Sequence, residues 1–144
     1  MKKIHLYSDG SSLGNPGPGG WGTILKYKDT IKELSGNKAN TTNNVMELTG
    51  VIEGLKAIKE SCDVEVISDS KYVVQGINEW LRNWEKNNWR TASKSPVKNL
   101  ELWQEYLEVS KKHKVLAIWV KGHAGHAENE RCDILAKTEA EKLR

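Results

Sequence analysis

Apolar residues recur along this chain with two periods, and the switches between them predict the order of its elements. Ile4-His5-Leu6-Tyr7-Ser8-Asp9 and Val64-Glu65-Val66-Ile67-Ser68-Asp69 are strand-like runs, each ending on an aspartate. The first forty residues predict three antiparallel strands, at Lys3 to Ser8, Trp21 to Tyr27 and Thr30 to Gly36, with the breaker cluster Gly14 to Gly20 as the first connection. Thr41-Thr42-Asn43-Asn44 supplies capping residues, after which Val45, Leu48, Val51, Ile52, Leu55 and Ile58 follow at helical spacing to about Glu60. Beyond the strand that closes at Ser68 come a helix from about Ser70 to Trp80, a basic tryptophan-rich stretch and a helix from about Asn99 to Lys112. A strand from Val115 to Val120, a loop at Gly122 to Gly125 and a closing helix from Glu128 to Arg144 complete the order. Leu116 to Val120 is apolar on both faces and reads as a central strand. Antiparallel hairpins followed by alternating strands and helices predict an α/β fold: a mixed five-stranded sheet, three antiparallel strands then two parallel, with helices on both faces.

Composition narrows this picture. A length of 144 residues with 38% hydrophobic content suits one domain spanning 1–144. No apolar run reaches the roughly 20 residues of a membrane span, and Met1-Lys2-Lys3 leads into a strand pattern, so a cytoplasmic protein is expected. Cys62 and Cys132 match no metal-ligand spacing and read as reduced packing residues. The net charge is only +3, but Lys71 to Lys98 holds six bases and two acids, leaving −1 for all other residues. Such a localised basic segment suits a polyanion, although a solvated charged helix is the common alternative.

Four acids stand where no local structural need explains them. Asp9 and Asp69 close strand runs, where α/β proteins place chemistry. Glu47 shares a helical face with Val51, Gly54 and Ile58, and a carboxylate turned inward is costly unless a cation or donor meets it. Asp133 lies in the closing helix. Taken singly, these are equally a turn residue, a helix cap, a first-turn acid and a surface acid. Taken together, four carboxylates without a histidine or cysteine cluster select hard cations, Mg²⁺ or Mn²⁺, and suit two ions acting on a phosphodiester.

The flanking residues decide between these readings. Tyr7-Ser8-Asp9-Gly10-Ser11, Gly14-Asn15-Pro16-Gly17-Pro18-Gly19-Gly20, Thr41-Thr42-Asn43-Asn44 with Met46-Glu47-Leu48, Ser68-Asp69-Ser70, and Trp119 to His126 followed by Asn129-Glu130-Arg131-Cys132-Asp133 run in order across nearly the whole chain. In these blocks the chain resembles the type 1 ribonuclease H family. The resemblance implies a two-metal-ion endonuclease that cleaves the RNA strand of RNA/DNA hybrids, leaving 5′-phosphate and 3′-hydroxyl ends, and acts as a monomer. It implies Mg²⁺ as cofactor, replaceable by Mn²⁺, held by Asp9, Glu47, Asp69 and Asp133. Asp9 would be the ligand shared by both ions, and Glu47 would also steer the attacking water or a substrate hydroxyl. His123, a titratable side chain on a polar loop, would serve proton transfer or product release.

For the substrate, the resemblance implies that Asn15, Thr42, Asn43, Asn44 and Gln75 touch the shallow minor groove of the hybrid, with Gly10 and Ser11 near the RNA. Trp80 would lie against the DNA strand, with Arg82, Lys86 and Arg90 on phosphates, while Trp84 and Trp89 pack the basic segment onto the protein. The Gly14–Gly20 stretch lacks a P-loop's ending and is a structural hairpin. Three positions depart from the family's common pattern: Asn40 and Val45, where relatives often carry arginine, and Lys71, where an uncharged polar residue is common. A DNA-directed nuclease of the same fold and a binding module without chemistry are the competing readings. The acidic quartet argues against the second.

Overall fold

The computed structural model describes residues 1–91, 96–122 and 126–144. Strands β1 (Lys3–Ser12), β2 (Gly17–Tyr27) and β3 (Thr30–Thr41) form an antiparallel meander, followed by helix α1 (Asn43–Ala57) and strand β4 (Asp63–Ser68). Helix α2 (Lys71–Gln75), a π-helical turn (Gly76–Trp80) and helix α3 (Leu81–Lys86) follow one another without interruption. Helix α4 (Leu100–Ser110), strand β5 (Lys114–Trp119) and helix α5 (Ala127–Glu141) complete the order. The sheet order is β3-β2-β1-β4-β5, with β4 and β5 parallel to β1, which is the mixed sheet expected.

Glycines set how closely the helices approach the two faces. On one face, Gly50 and Gly54 of α1 lie over Ser8, Leu6 and Thr23. On the other, α5 lies so near β2 that a Cβ on Gly22 would stand 2.6 Å from the Cys132 carbonyl oxygen, and one on Gly20 would stand 2.7 Å from Ala140 N. Leu6, Leu48, Val51, Leu55, Val64 and Val66 are fully buried between α1 and the sheet. Each such side chain contributes on the order of 1.5–3 kcal/mol by leaving water.

Four expectations are corrected. β1 continues to Ser12, so Asp9 lies within a strand, because β2 pairs with it as far as Ser12↔Gly19. The Gly14–Gly20 connection shrinks to residues 13–16, and Gly17 already belongs to β2. The glycines there serve close packing more than turning. The helix expected to end at Trp80 runs on through α3. Its π turn starts at Gly76, where a Cβ would stand 2.5 Å from the Trp103 ring. Finally, β5 is an edge strand, with Leu116, Ile118 and Trp119 exposed. Its outward edge is closed at mid-strand by Asn78, whose amide donates to Ala117 O at 2.8 Å and accepts from Ala117 N at 3.2 Å.

Behind the basic segment, Trp103 is fully buried and donates its indole N–H to the Tyr72 hydroxyl at 2.8 Å. Trp84 packs edge-on against Trp103 at 5.5 Å, and both Trp84 and Trp89 pack on the core, as expected for these two.

Between α4 and β5, His113 accepts the Cys62 backbone N–H on Nδ1 at 3.0 Å. Burial, with Lys112 beside it, holds this imidazole below its ordinary 6.5. A depressed histidine contributes stability above the unfolded value, and that contribution is lost as pH falls toward the folded one. His113→Asn, which keeps an acceptor near the Nδ1 position, is therefore expected to flatten the loss of melting temperature between about pH 7 and 5. Thermal melts of both chains in chelator check this, since contributions of other groups cancel in the difference.

Candidate metal centre

The strand register itself brings two of the acids together. β1 and β4 pair in parallel up to Tyr7↔Ile67, so continuing the register sets Asp9 level with Asp69, which directly follows Ser68. Asp9 is 7% exposed, and its Oδ1 accepts the N–H of Gly10 at 2.9 Å. Asp69 is held from two sides. Ser70 caps α2 by accepting from Val73 N at 3.2 Å, and the Trp119 indole donates to the Asp69 carbonyl at 3.0 Å.

Glu47 comes from α1, which starts where Thr42 accepts the Val45 N–H at 3.3 Å. Gly10 allows the approach. A Cβ there would stand 2.5 Å from the Met46 carbonyl carbon and would overlap Glu47 N, so the first turn of α1 rests on the backbone of β1. As a result, ligand oxygens of Asp9, Glu47 and Asp69 all lie within 4.8 Å of one another. One of the Glu47 oxygens, Oε2, is buried and has no hydrogen-bond partner.

Such proximity is electrostatically expensive. Burial, followed by repulsion from Asp69 and then Asp133, pushes Asp9 up to about 7 against the N–H of Gly10. Burial, then Asp9 and Asp69, drives Glu47 well above the usual carboxylate range. An unpartnered buried carboxylate oxygen among three clustered acids is the environment a hard divalent cation satisfies.

Asp133 reaches the same cleft from α5. It lines the cleft with Asp9, Asp69, Lys121, His126, Asn129 and Glu130, but its Oδ2 is 3.0 Å from Lys137 Nζ. It is not one of the three whose oxygens converge within 4.8 Å. His123 lies outside the described residues, as do Ala124 and Gly125 and the stretch 92–95 with its Lys94.

Among the expected substrate residues, Asn15, Asn44, Gln75, Arg82, Lys86 and Arg90 are exposed, and Ser11 and Trp80 are half-buried. Trp80 stacks obliquely on Trp84 at 5.8 Å and meets Tyr72 edge-on at 5.9 Å. Asn43 Oδ1 accepts from Ser12 N at 2.7 Å, which ties the start of α1 to the end of β1. The Thr42 hydroxyl is engaged as the α1 cap.

Two contributors were missed. A Cβ on Gly122 would stand 2.8 Å from Asp69 Oδ2, so a side chain there would push that carboxylate aside. Asn129 donates to Ile67 O at 3.2 Å, fastening the first turn of α5 to β4, while its buried Oδ1 lacks a partner. The signal for Asn129 was its position one helical turn before Asp133. Gly122 was marked only by its place in the Lys121-Gly122-His123 block.

This sheet, with carboxylates converging from within β1, from the end of β4 and from α1, defines an α/β protein of ribonuclease H-like architecture with an acidic cation-type centre. The RNase H family model matches residues 1–141. The chain is 59% identical over 144 residues to "Ribonuclease H" of Campylobacter concisus, covering 100% of this chain and 96% of that one. It is 57% identical over 142 residues to "Ribonuclease HI" of Helicobacter pylori, covering 99% and 96%. The crystal structure of LC9-RNase H1, a type 1 RNase H with the type 2 active-site motif, superposes with a TM-score of 0.90 at 35% identity, covering 100% of this chain and 74% of that one. The chain belongs to the RNase H family.

Proposed function

We propose that this chain is an endoribonuclease that hydrolyses the RNA strand of RNA/DNA hybrids in a divalent-metal-dependent reaction, leaving 5′-phosphate and 3′-hydroxyl ends, with residues 1–144 acting as a single catalytic domain. The observation that carries the reading is the cluster of Asp9, Glu47 and Asp69 oxygens within 4.8 Å, in a chain of this family. The all-oxygen donor set favours Mg²⁺, with Mn²⁺ able to substitute. Asp9, Glu47, Asp69 and Asp133 would hold the metal. When bound, two such ions supply charge stabilisation at the reacting phosphate and a more acidic attacking water.

The remaining work falls to the protein's own groups. Asp9, which interacts with Glu47, Asp69 and Asp133 alike, would help to hold both ions. Glu47, on the first turns of α1, orients the attacking water or a substrate hydroxyl. Asn129 ties the first turn of α5 to β4, and Gly122 leaves room for the Asp69 carboxylate. His123 moves a proton during turnover or product release. Gly10, Ser11, Asn15, Thr42, Asn43, Asn44 and Gln75 follow the minor groove, where the 2′-hydroxyl distinguishes RNA from DNA. Trp80 meets the DNA strand, and Arg82, Lys86 and Arg90 its phosphates.

Hybrid affinity is expected to fall steeply with salt. Arg82→Ala and Lys86→Ala should each weaken binding and lower the slope of log affinity against log salt by about one. Fluorescence anisotropy across a salt series checks this, and an unchanged slope removes these residues from the phosphate contacts. The activity is tested on labelled RNA/DNA hybrid, duplex RNA and duplex DNA in Mg²⁺. The reading expects cleavage of the hybrid, and cleavage of duplex DNA with the hybrid left intact overturns it.

A further inference from the structure

Asn99 precedes α4 with its backbone in the left-handed region at φ 60°, a conformation that asparagine tolerates and glycine adopts freely. It stands where a helix cap belongs, yet its side chain makes no capping hydrogen bond. Its amide instead donates to the Tyr72 hydroxyl at 3.0 Å. The same hydroxyl accepts the indole N–H of the buried Trp103 at 2.8 Å, and the Tyr72 ring meets Trp80 edge-on at 5.9 Å. Tyr72 therefore touches both ends of the stretch that carries Arg82, Lys86 and Arg90: Trp80 where that stretch leaves α2 and Asn99 where it returns to α4. Tyr72 itself follows Asp69 by three residues.

We propose that Tyr72, through its hydrogen bond to Asn99, is the pin that sets the basic segment relative to the metal centre, so that its bases and the acids meet one hybrid in register. This inference rests on the reading of that segment as a hybrid-binding surface. Tyr72 and Asn99 are positioning residues, acting through Trp80 and the three bases. Val97 is buried in the core, and Trp84 and Trp89 pack on it, so the segment is already held to the protein. Apolar contacts are non-directional, however, and a hydrogen bond between two fixed groups supplies the orientation.

The size of the effect follows from that one bond. A hydrogen bond of this kind shifts an equilibrium about fivefold. Without it the segment leaves its binding arrangement for part of the time, and hybrid affinity falls by up to that factor. The phosphate contacts keep their number, so the salt slope stays native. Asn99→Gly removes the amide where the backbone suits glycine, so the melting temperature should not fall. Tyr72→Phe also removes the pin, but it leaves the buried Trp103 N–H without this acceptor and should melt lower.

The test is fluorescence anisotropy of a labelled RNA/DNA hybrid in chelator across a salt series, with the unaltered chain, Asn99→Gly, Tyr72→Phe and the double variant, beside thermal melts and Mn²⁺ titration. Expected for Asn99→Gly is hybrid affinity about fivefold weaker, with native melting temperature, salt slope and Mn²⁺ affinity. Tyr72→Phe should lose at least as much affinity, and adding Asn99→Gly to it should cost nothing further. Native hybrid affinity in Asn99→Gly overturns the proposal. So do losses that add in the double variant, because Asn99 would then touch the hybrid by itself. A fall in Mn²⁺ affinity of Asn99→Gly overturns it as well, by placing the effect at the acids. Cleavage by the unaltered chain in Mg²⁺ is scored separately: a hybrid that is bound but not cut defeats the proposed activity and leaves this inference standing.

Discussion

Asp9→Asn is expected to abolish hybrid cleavage while raising the melting temperature of the metal-free protein. The loss follows from the place of Asp9 in the carboxylate cluster, where it interacts with Glu47, Asp69 and Asp133 alike. Several kcal/mol of transition-state stabilisation through the bound metal correspond to roughly a thousandfold or more in rate. The gain follows from burial and repulsion, which push Asp9 from 3.8 up to about 7. A carboxyl raised in this way contributes its stability below the unfolded value and loses it as pH climbs through the folded one. In chelator, the native chain should therefore become less stable between about pH 4 and 7, and Asn at position 9 should remove that slope. At pH 8 the difference is on the order of 2–4 kcal/mol, several degrees in melting temperature for a chain of this size. Single-turnover cleavage and melts in chelator check the two halves separately. A variant that cleaves at the native rate removes Asp9 from the chemistry, and one that melts lower shows that Asp9 is not electrostatically strained.

The second large effect comes from a residue with no side chain. Gly10→Ala would put a methyl group on Glu47 N and 2.5 Å from the Met46 carbonyl carbon, so the first turn of α1 has to move off β1. Overpacking of this kind costs roughly 1–3 kcal/mol. The shift also carries Glu47 away from Asp9 and Asp69, and a displacement of about 1 Å at a catalytic group can cost on the order of 10²-fold. Gly50→Ala is the milder comparison: its Cβ would meet the Thr23 hydroxyl and Ser8 Cβ at 3.2 and 3.3 Å, a crowding of a few tenths of an ångström that the helix-propensity gain of alanine over glycine offsets. Urea denaturation and Mn²⁺ titration of the two variants should show Gly10→Ala losing both stability and cation affinity, with Gly50→Ala close to native in both. A Gly10→Ala protein with native cation affinity would show that α1 need not rest on β1 to place Glu47.

Much of this site is written in short-range pattern. Asp69 follows its strand run because β4 ends at Ser68, and the inward face of Glu47 follows from helical spacing with Val51 and Gly54. What local pattern lacks is the distance between elements. Glycine suits both turns and close approaches, so Gly17 to Gly20 read as part of the connection, although they belong to β2 and Gly20 offers α5 the bare backbone it needs. Apolar alternation also cannot distinguish a central strand from an edge strand. Leu116 and Ile118 are as hydrophobic as core residues, yet they are exposed on β5, at the edge of the sheet. Asp133 was legible only through its sequence block, since nothing local shows α5 crossing the face on which Asp9 lies. Its pairing with Lys137 needed the helix itself.

Metal-dependent hydrolysis of the RNA strand in a hybrid can be measured on one duplex whose RNA and DNA strands carry different labels. The duplex is incubated with the protein in Mg²⁺ and, in parallel, in chelator. Internal cuts in the RNA label alone, with 5′-phosphate ends, are expected in Mg²⁺ and not in chelator. Cuts in the DNA label, or equal RNA cleavage in chelator, would contradict the proposed activity.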